Sequence, residues 1–296
     1  MIDVFLKIFP LVILVVIGYL LNKTGKLKEE TSRSMINIAF EVFLPATVFL
    51  AISKAKLNSE FLYIPVFAMI IIFSIYFASK IIFSKMDINE NDKKVMVVGA
   101  MLMNTAAIGI PVMESLYGTE GAAVASLFDF GCAVLIYTLG YFTISKNNLC
   151  ATKMIKKVLS SNVLWAMVLG LSINFFNIEI GVILDGLIGL IAGATIPVMM
   201  IAIGGIIKPA IKNGKFTLLS VFMRSFGGLV IGLLIVYLFG LEGIIKNMVL
   251  IGSILPSAII TIVFTIKEGL NSQLAIEIVS ISTILFFILL PFVAQI

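Results

Sequence analysis

Residues 99–111 read Gly-Ala-Met-Leu-Met-Asn-Thr-Ala-Ala-Ile-Gly-Ile-Pro and lie inside a long apolar segment. Asn104 and Thr105 bring hydrogen-bonding groups to the middle of this segment, and Gly109 and Pro111 disfavour a regular helix there. In a membrane, the backbone groups freed by such a break must be satisfied by protein or by a water-filled cavity. The stretch therefore predicts a discontinuous helix that binds a solute. The alternative is a simple proline kink in which Asn104 bonds to a neighbouring helix.

Apolar segments of similar length recur along the whole chain, in which 60% of the residues are hydrophobic and the mean hydropathy is +1.17. About 20 consecutive apolar residues are enough to span a bilayer as a helix. The predicted spans are 3–21, 33–53, 61–83, 95–114, 119–144, 157–176, 182–207, 216–239, 243–266 and 273–294. The sequence therefore predicts an all-α polytopic membrane protein of ten transmembrane helices, with residues 1–296 forming one membrane domain.

The basic residues predict the orientation of these spans. The polar breaks between the spans lie alternately on the two sides of the membrane. Most of the 21 Lys and Arg residues, Arg224 and Lys267 among them, fall on one of these sides. Positive residues in short loops stay cytoplasmic, so both termini are expected outside the cell membrane. The net charge of +5 is then explained by basic residues that fix the orientation of the spans. The expected partner is the lipid bilayer, and no nucleic-acid partner is expected.

A basic break at 145–157 divides the chain into halves of five predicted spans each, 1–145 and 157–296. Because five is odd, the second half would enter the membrane from the opposite side. That arrangement is an inverted-topology repeat, which is common among secondary transporters.

Matched prolines support this repeat. They are Pro45 and Pro197 in the second helix of each half, and Pro111 and Pro256 in the fourth. Interrupted helices in corresponding positions are the best sequence pointer to a transporter's binding site. Pro256 also has polar neighbours, namely Ser253, Ser257 and Thr261, so the substrate site is predicted at the two fourth-position breaks.

Two acidic residues lie within predicted spans. Glu41 falls between Asn37 and Pro45 on one predicted helix face, and Asp129 lies near the middle of the fifth span. Carboxylates at such depth are costly, so they are expected to face the protein interior. They are candidates for a coupling-ion ligand or a proton carrier, with a structural contact between helices as the alternative. Glu114 is predicted to be solvated near the outer loop.

Several classes of function find no support. The chain has no His and only Cys132 and Cys150, so neither a Cys/His metal site nor a disulfide framework is expected. No phosphate-binding loop of the G-x-x-x-x-G-K-[ST] type is present. We therefore expect no enzyme activity, no metal and no cofactor other than a possible coupling Na⁺ or H⁺.

Three groups of motifs resemble a known family. They are Asn104-Thr-Ala-Ala-Ile-Gly-Ile-Pro111 followed by Tyr117-Gly118, Ile36-Asn-Ile-Ala39 followed by Leu44-Pro45, and Leu255-Pro-Ser-Ala258 followed by Phe264-Thr-Ile-Lys-Glu-Gly269. Together they look like the signatures of the auxin efflux carrier family, which includes plant auxin carriers and bacterial permeases for malonate, malate and related acids. The resemblance extends over the whole chain.

The resemblance implies a fold similar to that of the bile-acid sodium symporters. Two inverted five-helix repeats would cross at broken helices four and nine, and a transport domain would slide along a scaffold in an elevator-like motion. Carried over, the crossing lies at 104–111 and 255–261, and Asn37 and Pro45 line the nearby pocket. Homodimers are common in this family, so a homodimer is a candidate assembly.

The functional hypothesis is a secondary transporter for a small organic anion, a mono- or dicarboxylate such as auxin, malate or malonate. The main alternative is a cation or proton antiporter on the same fold, in which Glu41 or Asp129 binds the ion. A receptor or assembly scaffold is a weaker alternative, because it has no need of matched broken helices.

Overall fold

The structure is a computed structural model that describes residues 2–56, 59–145, 156, 158–210 and 212–296. Cys150 lies outside the described residues, so the expectation about it stays a prediction. The described part of the chain is helical throughout, apart from turns and a single isolated β-bridge. This confirms the predicted all-α class.

The helices share short connections and mostly apolar sequences. Up to residue 144 they are α1 (Ile2–Lys23), α2 (Glu29–Ile38), α3 (Leu44–Lys54), α4 (Ile64–Ser84), α5 (Glu90–Met101), α6 (Ile110–Leu135) and α7 (Tyr141–Ile144). From residue 162 they are α8 (Asn162–Phe175), α9 (Val182–Gly193), α10 (Thr195–Ile206), α11 (Gly214–Phe222), α12 (Gly228–Phe239), α13 (Gly243–Ile254), α14 (Ile260–Lys267) and α15 (Ser272–Val293).

Among the described residues, 7 helical segments are long and apolar enough to cross a bilayer. They are Val4–Lys23, Glu29–Lys54, Glu60–Ser84, Thr105–Ile144, Val182–Ile206, Gly214–Phe239 and Ser272–Val293. The shorter α8 and α13 are also apolar. The chain is therefore a multi-pass membrane protein, as its hydropathy predicts.

Widened π-helical turns precede two of the prolines, Pro45 and Pro111, whereas Pro10 and Pro291 lie inside regular helices. Such turns span Ala39–Phe43, just before Pro45, and Thr105–Gly109, just before Pro111. A proline ring clashes with the carbonyl four residues back, and an extra residue in the preceding turn relieves that clash. The predicted interruption at Pro45 is thus a widened turn within a continuous helix.

The chain forms two compact units, each of which draws on both halves of the sequence. The first unit consists of Met1–Phe61, Ala106–Leu127 and Val158–Ile207. Within it, α1 packs closely on α10 through glycines. A Cβ atom on Gly18 would overlap the carbonyl oxygen of Ile201, and one on Gly204 would overlap that of Val15. Gly204 therefore serves the close packing of these two helices.

Polar side chains satisfy freed carbonyls in this first unit. The buried Thr47 hydroxyl lies 2.8 Å from the Thr195 hydroxyl and donates to Ala192 O, where α9 gives way to α10. Asn174 Nδ2 donates to three carbonyls at the end of α3, those of Ile52, Ser53 and Ala55. These bonds hold helix ends that water cannot reach in a bilayer.

The second unit consists of Leu62–Thr105, Phe128–Lys157 and Lys208–Ile296. Within it, the buried carboxylate of Glu277 on α15 binds the start of α11. It accepts hydrogen bonds from Asn213 N at 2.9 Å and from Thr217 Oγ1 at 2.8 Å. Helix α12 approaches the end of α13 closely at Gly228, because a Cβ atom there would overlap Ser253 O.

Candidate functional site

Two helices of the second unit stop in the interior of the protein. Helix α5 ends at Met101, and Leu102 follows in an extended conformation with φ −82° and ψ 127°. Helix α13 ends at Ile254, and Leu255 is extended with φ −49° and ψ 144°. The helical path resumes at Thr105 and at Ile260, respectively. Both predicted discontinuous helices are therefore present.

The two extended segments pair with each other. Asn104 N donates to Pro256 O, and Ala258 N donates to Leu102 O, both at 3.0 Å. Met103 and Ser257 form an antiparallel β-bridge between these bonds. Backbone groups that have left their helices thus satisfy one another, which is the condition for irregular backbone within a membrane protein.

The position of the first break differs from the one that the sequence suggests. The extended residues are Leu102 to Asn104, whereas Gly109 closes a π turn and Pro111 lies in the first turn of α6. Pairing with the segment around Pro256 decides where the chain must be extended, and the π turn then accommodates Pro111. Only Pro256 lies within its own break.

Among the described residues of the second unit, five buried polar side-chain atoms have no hydrogen-bond partner. Three of them lie on the paired segments or just after, namely Asn104 Nδ2, Ser257 Oγ and Thr261 Oγ1, and the other two are Arg224 Nε and Ser225 Oγ. Asn104 is 6% exposed, and Ser257 and Thr261 are 0% exposed. An unsatisfied buried donor costs about 1–3 kcal/mol, so a group of them points to a polar ligand or to bound water.

The other predicted site residues of this unit are Thr105, Ser253 and Asp129, and the first two form hydrogen bonds within the protein. Thr105 Oγ1 donates to Cys132 Sγ at 3.3 Å, and Ser253 Oγ donates within its helix to Leu250 O at 2.7 Å. Asp129 is 9% exposed, as expected for an interior carboxylate. The structure thus brings these three residues into the same unit as Asn104 and Pro256.

The remaining predicted site residues belong to the first unit: Asn37, Glu41, Pro45, Gly109 and Pro111. Asn37 and Glu41 are exposed, so the expectation that Glu41 faces the interior is wrong. Glu41 lies on the π turn Ala39–Phe43 and is exposed on the same side of the segment as Asn37. Its Oε2 accepts a hydrogen bond from Asn162 Nδ2 at 2.5 Å.

Glu114 also differs from its prediction as a solvated residue. Its Oε2 is buried and has no hydrogen-bond partner. The helix containing Glu114 continues to Gly118, where φ is +63°, so Glu114 lies within the helix rather than in the outer loop.

Arg224 belongs to the site, although its charge predicts a place among the cytoplasmic basic residues. It is 0% exposed within the second unit. Its guanidinium donates to the carbonyls of Ala100, Met101 and Ser253, at the ends of the two interrupted helices. The available signal was its position, a lone cation well inside the apolar segment 216–239.

Within the described part of the chain, no group of three or more His, Cys, Asp or Glu side chains is arranged to hold a metal ion. Besides the Asp129 carboxylate, the polar side chains around the crossing are one amide, several hydroxyls and one guanidinium, and these are hydrogen-bond donors suited to a polar or anionic solute.

A multi-pass helical protein in which two interrupted helices meet at buried polar groups has the architecture of a membrane transporter. A family model described as membrane transport protein matches residues 3–294. The chain belongs to this family, and its resemblance to the auxin efflux carriers is thereby confirmed.

Two relatives match the chain over nearly its whole length. An uncharacterized transporter of Methanothermobacter thermautotrophicus is 24% identical over 96% of this chain and 95% of its own length. An uncharacterized transporter of Methanocaldococcus jannaschii is 28% identical over 92% of this chain and 91% of its own length. Both carry the name of a transporter, which agrees with the family.

Proposed function

We propose that the protein is a secondary transporter that moves a small organic anion, a mono- or dicarboxylate, across the cell membrane. The observation that carries this proposal is the group of buried, unpartnered polar atoms on Asn104, Ser257 and Thr261. The amide nitrogen only donates and both hydroxyls can donate, while a carboxylate only accepts. Hydrogen bonds to a charged acceptor are also the stronger ones, at about 1.5–3 kcal/mol each.

The direction of the chain favours an anion as well. The helical path resumes directly after each paired segment, at Thr105 and at Ile260, so two helix beginnings follow the crossing. Free N–H groups and partial positive charge accumulate at such beginnings. A carboxylate placed there gains attraction without a bound metal.

The proposed architecture is ten transmembrane helices in two inverted five-helix repeats. Besides the 7 long segments, α8 and the two interrupted helices supply the remaining crossings. The first interrupted helix belongs to the second unit up to Thr105, and the second belongs to it entirely, which supports an elevator mechanism in which that unit carries the solute. The proposed location is the cell membrane, with both termini outside, because most basic residues lie on the opposite side of the predicted spans. The candidate assembly is a homodimer.

Thermal-shift screening of the detergent-purified protein tests this function. Mono- and dicarboxylates are each added with sodium or choline as the cation, and the neutral amide of each acid serves as its control. A substrate at 100 times its Kd stabilises the folded state by about 2.7 kcal/mol. We expect the acid, and not its amide, to raise the Tm and then to be taken up by proteoliposomes. The absence of any carboxylate-specific shift and uptake contradicts the proposal.

A coupling proton or sodium ion is part of the proposal, with Glu41 and Asp129 as the candidate residues. Changing Glu41→Gln removes the charge and keeps the shape, so we expect the pH or sodium dependence of uptake to flatten. Glu120→Gln, an equal change at an exposed position, serves as the control. An unchanged profile in Glu41→Gln makes its bond to Asn162 purely structural.

The antiporter alternative is tested with the same proteoliposomes. A cation or proton antiporter exchanges its ions with no organic anion present, whereas an anion transporter does not. Ion exchange without added carboxylate, lost in Glu41→Gln or in Asp129→Asn, would therefore replace the anion transporter by the antiporter.

A further inference from the structure

Two backbone carbonyls at the crossing have lost the donors that a continuous helix would provide. Ala100 O would accept from the N–H of Asn104, but that group donates to Pro256 O. Ser253 O would accept from the N–H of Ser257, but that group donates to the Ser282 hydroxyl. Each interrupted helix therefore ends in a freed carbonyl, in a place that water does not reach.

Both freed carbonyls are bound by Arg224. Nη1 donates to Ala100 O at 3.1 Å and to Met101 O at 3.3 Å, and Nη2 donates to Ser253 O at 2.6 Å. The last carbonyls of a helix carry partial negative charge, equivalent to about half an electron charge for a whole helix. Two such ends converge here, and one fixed cation lies between them.

The surrounding backbone is shaped to admit this side chain. Arg224 lies on the π turn Met223–Gly227 between α11 and α12. Gly228 follows one turn later, and a Cβ atom at that position would lie 2.8 Å from Arg224 Nη2. A widened turn and an absent side chain thus leave room for the guanidinium between α12 and the end of α13.

We propose that Arg224 is a tethered cation that takes the place of a bound metal cation at the crossing. In transporters with discontinuous helices, unwound carbonyls and half-helix C-terminal ends are the groups that coordinate Na⁺. In this chain the equivalent carbonyls accept hydrogen bonds from a guanidinium, which is covalently attached to the chain and cannot dissociate from the site. Assembly of the site and binding of the anion therefore need no sodium, which leaves the proton of the two candidate coupling ions. This inference rests on the proposed function and specifies its ion dependence.

Arg224 acts as a positioning residue. Its Nη1 and Nη2 groups are directed at backbone carbonyls, four residues before Asn104 and four before Ser257. By holding both carbonyls it holds the two extended segments in register, so that their unpartnered polar atoms face the same solute. Its positive charge also remains at the crossing when the solute leaves.

The first measurement compares the purified wild-type protein in sodium chloride and in choline chloride, with no carboxylate added. We expect the same Tm in both salts, and in the presence of an identified substrate the same Kd. A Tm or Kd that improves in sodium overturns the inference. The Tm comparison needs no substrate, so it tests the inference even if the proposed function is wrong. A carboxylate that binds only with sodium overturns this inference and leaves the proposed function intact.

The second measurement removes the tethered cation and supplies it in solution. Arg224→Ala is expected to lower the Tm by about 6–12 °C, the effect of leaving buried carbonyls without their cation. Millimolar guanidinium should restore part of this loss, whereas urea, which has the same shape and no charge, should not. Arg33→Gln, which removes a half-exposed charge and its ion pair with Glu29, is the control and should change the Tm little, because such surface pairs contribute about 0–1 kcal/mol.

Arg224→Lys decides the matter if the alanine variant does not fold. Lysine keeps the charge, so we expect a folded protein with a Tm that does not respond to sodium. A lysine variant that fails to fold, or one whose Tm rises with sodium, overturns the inference. So does an alanine variant with the wild-type Tm, and so does equal rescue by urea and guanidinium.

Discussion

Replacing Asn104 with alanine is expected to abolish uptake of the substrate while the protein still folds. The side-chain amide is 6% exposed, and its Nδ2 has no partner within the protein. A hydrogen bond from this group to a carboxylate is worth about 1.5–3 kcal/mol, which corresponds to about a 10- to 150-fold loss of affinity when it is removed. At substrate concentrations near the wild-type Kd, uptake should fall to background.

Stability should respond in the opposite way to activity. The bond from Asn104 N to Pro256 O belongs to the backbone, so alanine keeps the paired segments intact. Alanine also removes a buried donor that lacks a partner, so the Tm without substrate should stay the same or rise slightly. Asn91→Ala, the same change at an exposed position, controls for expression and reconstitution. Normal uptake by Asn104→Ala would remove this residue, and with it the proposed site, from the transport reaction.

The second large effect is expected from Gly204→Ala, which should destabilise the first unit. A Cβ atom at this position would overlap the carbonyl oxygen of Val15 and lie 2.9 Å from Tyr19 N, so α1 and α10 must move apart. Backbone atoms cannot rotate away as a flexible side chain can. Overpacking of this kind costs about 1–3 kcal/mol, and we expect the Tm to fall by about 2–12 °C.

Gly189→Ala provides a control of opposite sign. A Cβ atom on Gly189, in the middle of α9, meets no atom within 4 Å. Alanine is favoured over glycine in a helix by about 0.5–1 kcal/mol, so this variant should match or exceed the wild-type Tm. If Gly204→Ala also keeps the wild-type Tm, the close approach of α1 and α10 is not required for stability.

Much of the fold can be predicted because the bilayer restricts the choices of the chain. A segment of about 20 apolar residues has only the helix available to satisfy its backbone groups in lipid. Interrupted helices could be placed near Asn104 and Pro256 because polar residues, glycine and proline cluster there, and such a cluster is costly in a continuous helix surrounded by lipid. The motifs around these residues also identified the family.

The details of the site could not be predicted in the same way. The first break lies at Leu102–Asn104 rather than at Pro111, because main-chain pairing with a segment about 150 residues away decides which residues are extended. Glu41 is exposed together with Asn37, because the face of a helix that becomes buried depends on which other helices pack against it and not on the spacing of its own residues.

By itself, the sequence determined that this protein is helical, multi-pass and a member of a transporter family, since hydropathy and short motifs act locally along the chain. Only the tertiary structure decided that Arg224, which looks like one more cytoplasmic cation, binds the carbonyls of two helices that stop in the interior. Partners for buried charges and freed carbonyls come from distant segments. The identity of these partners therefore depends on how the helices pack, and the spacing of residues within one segment does not predict that packing.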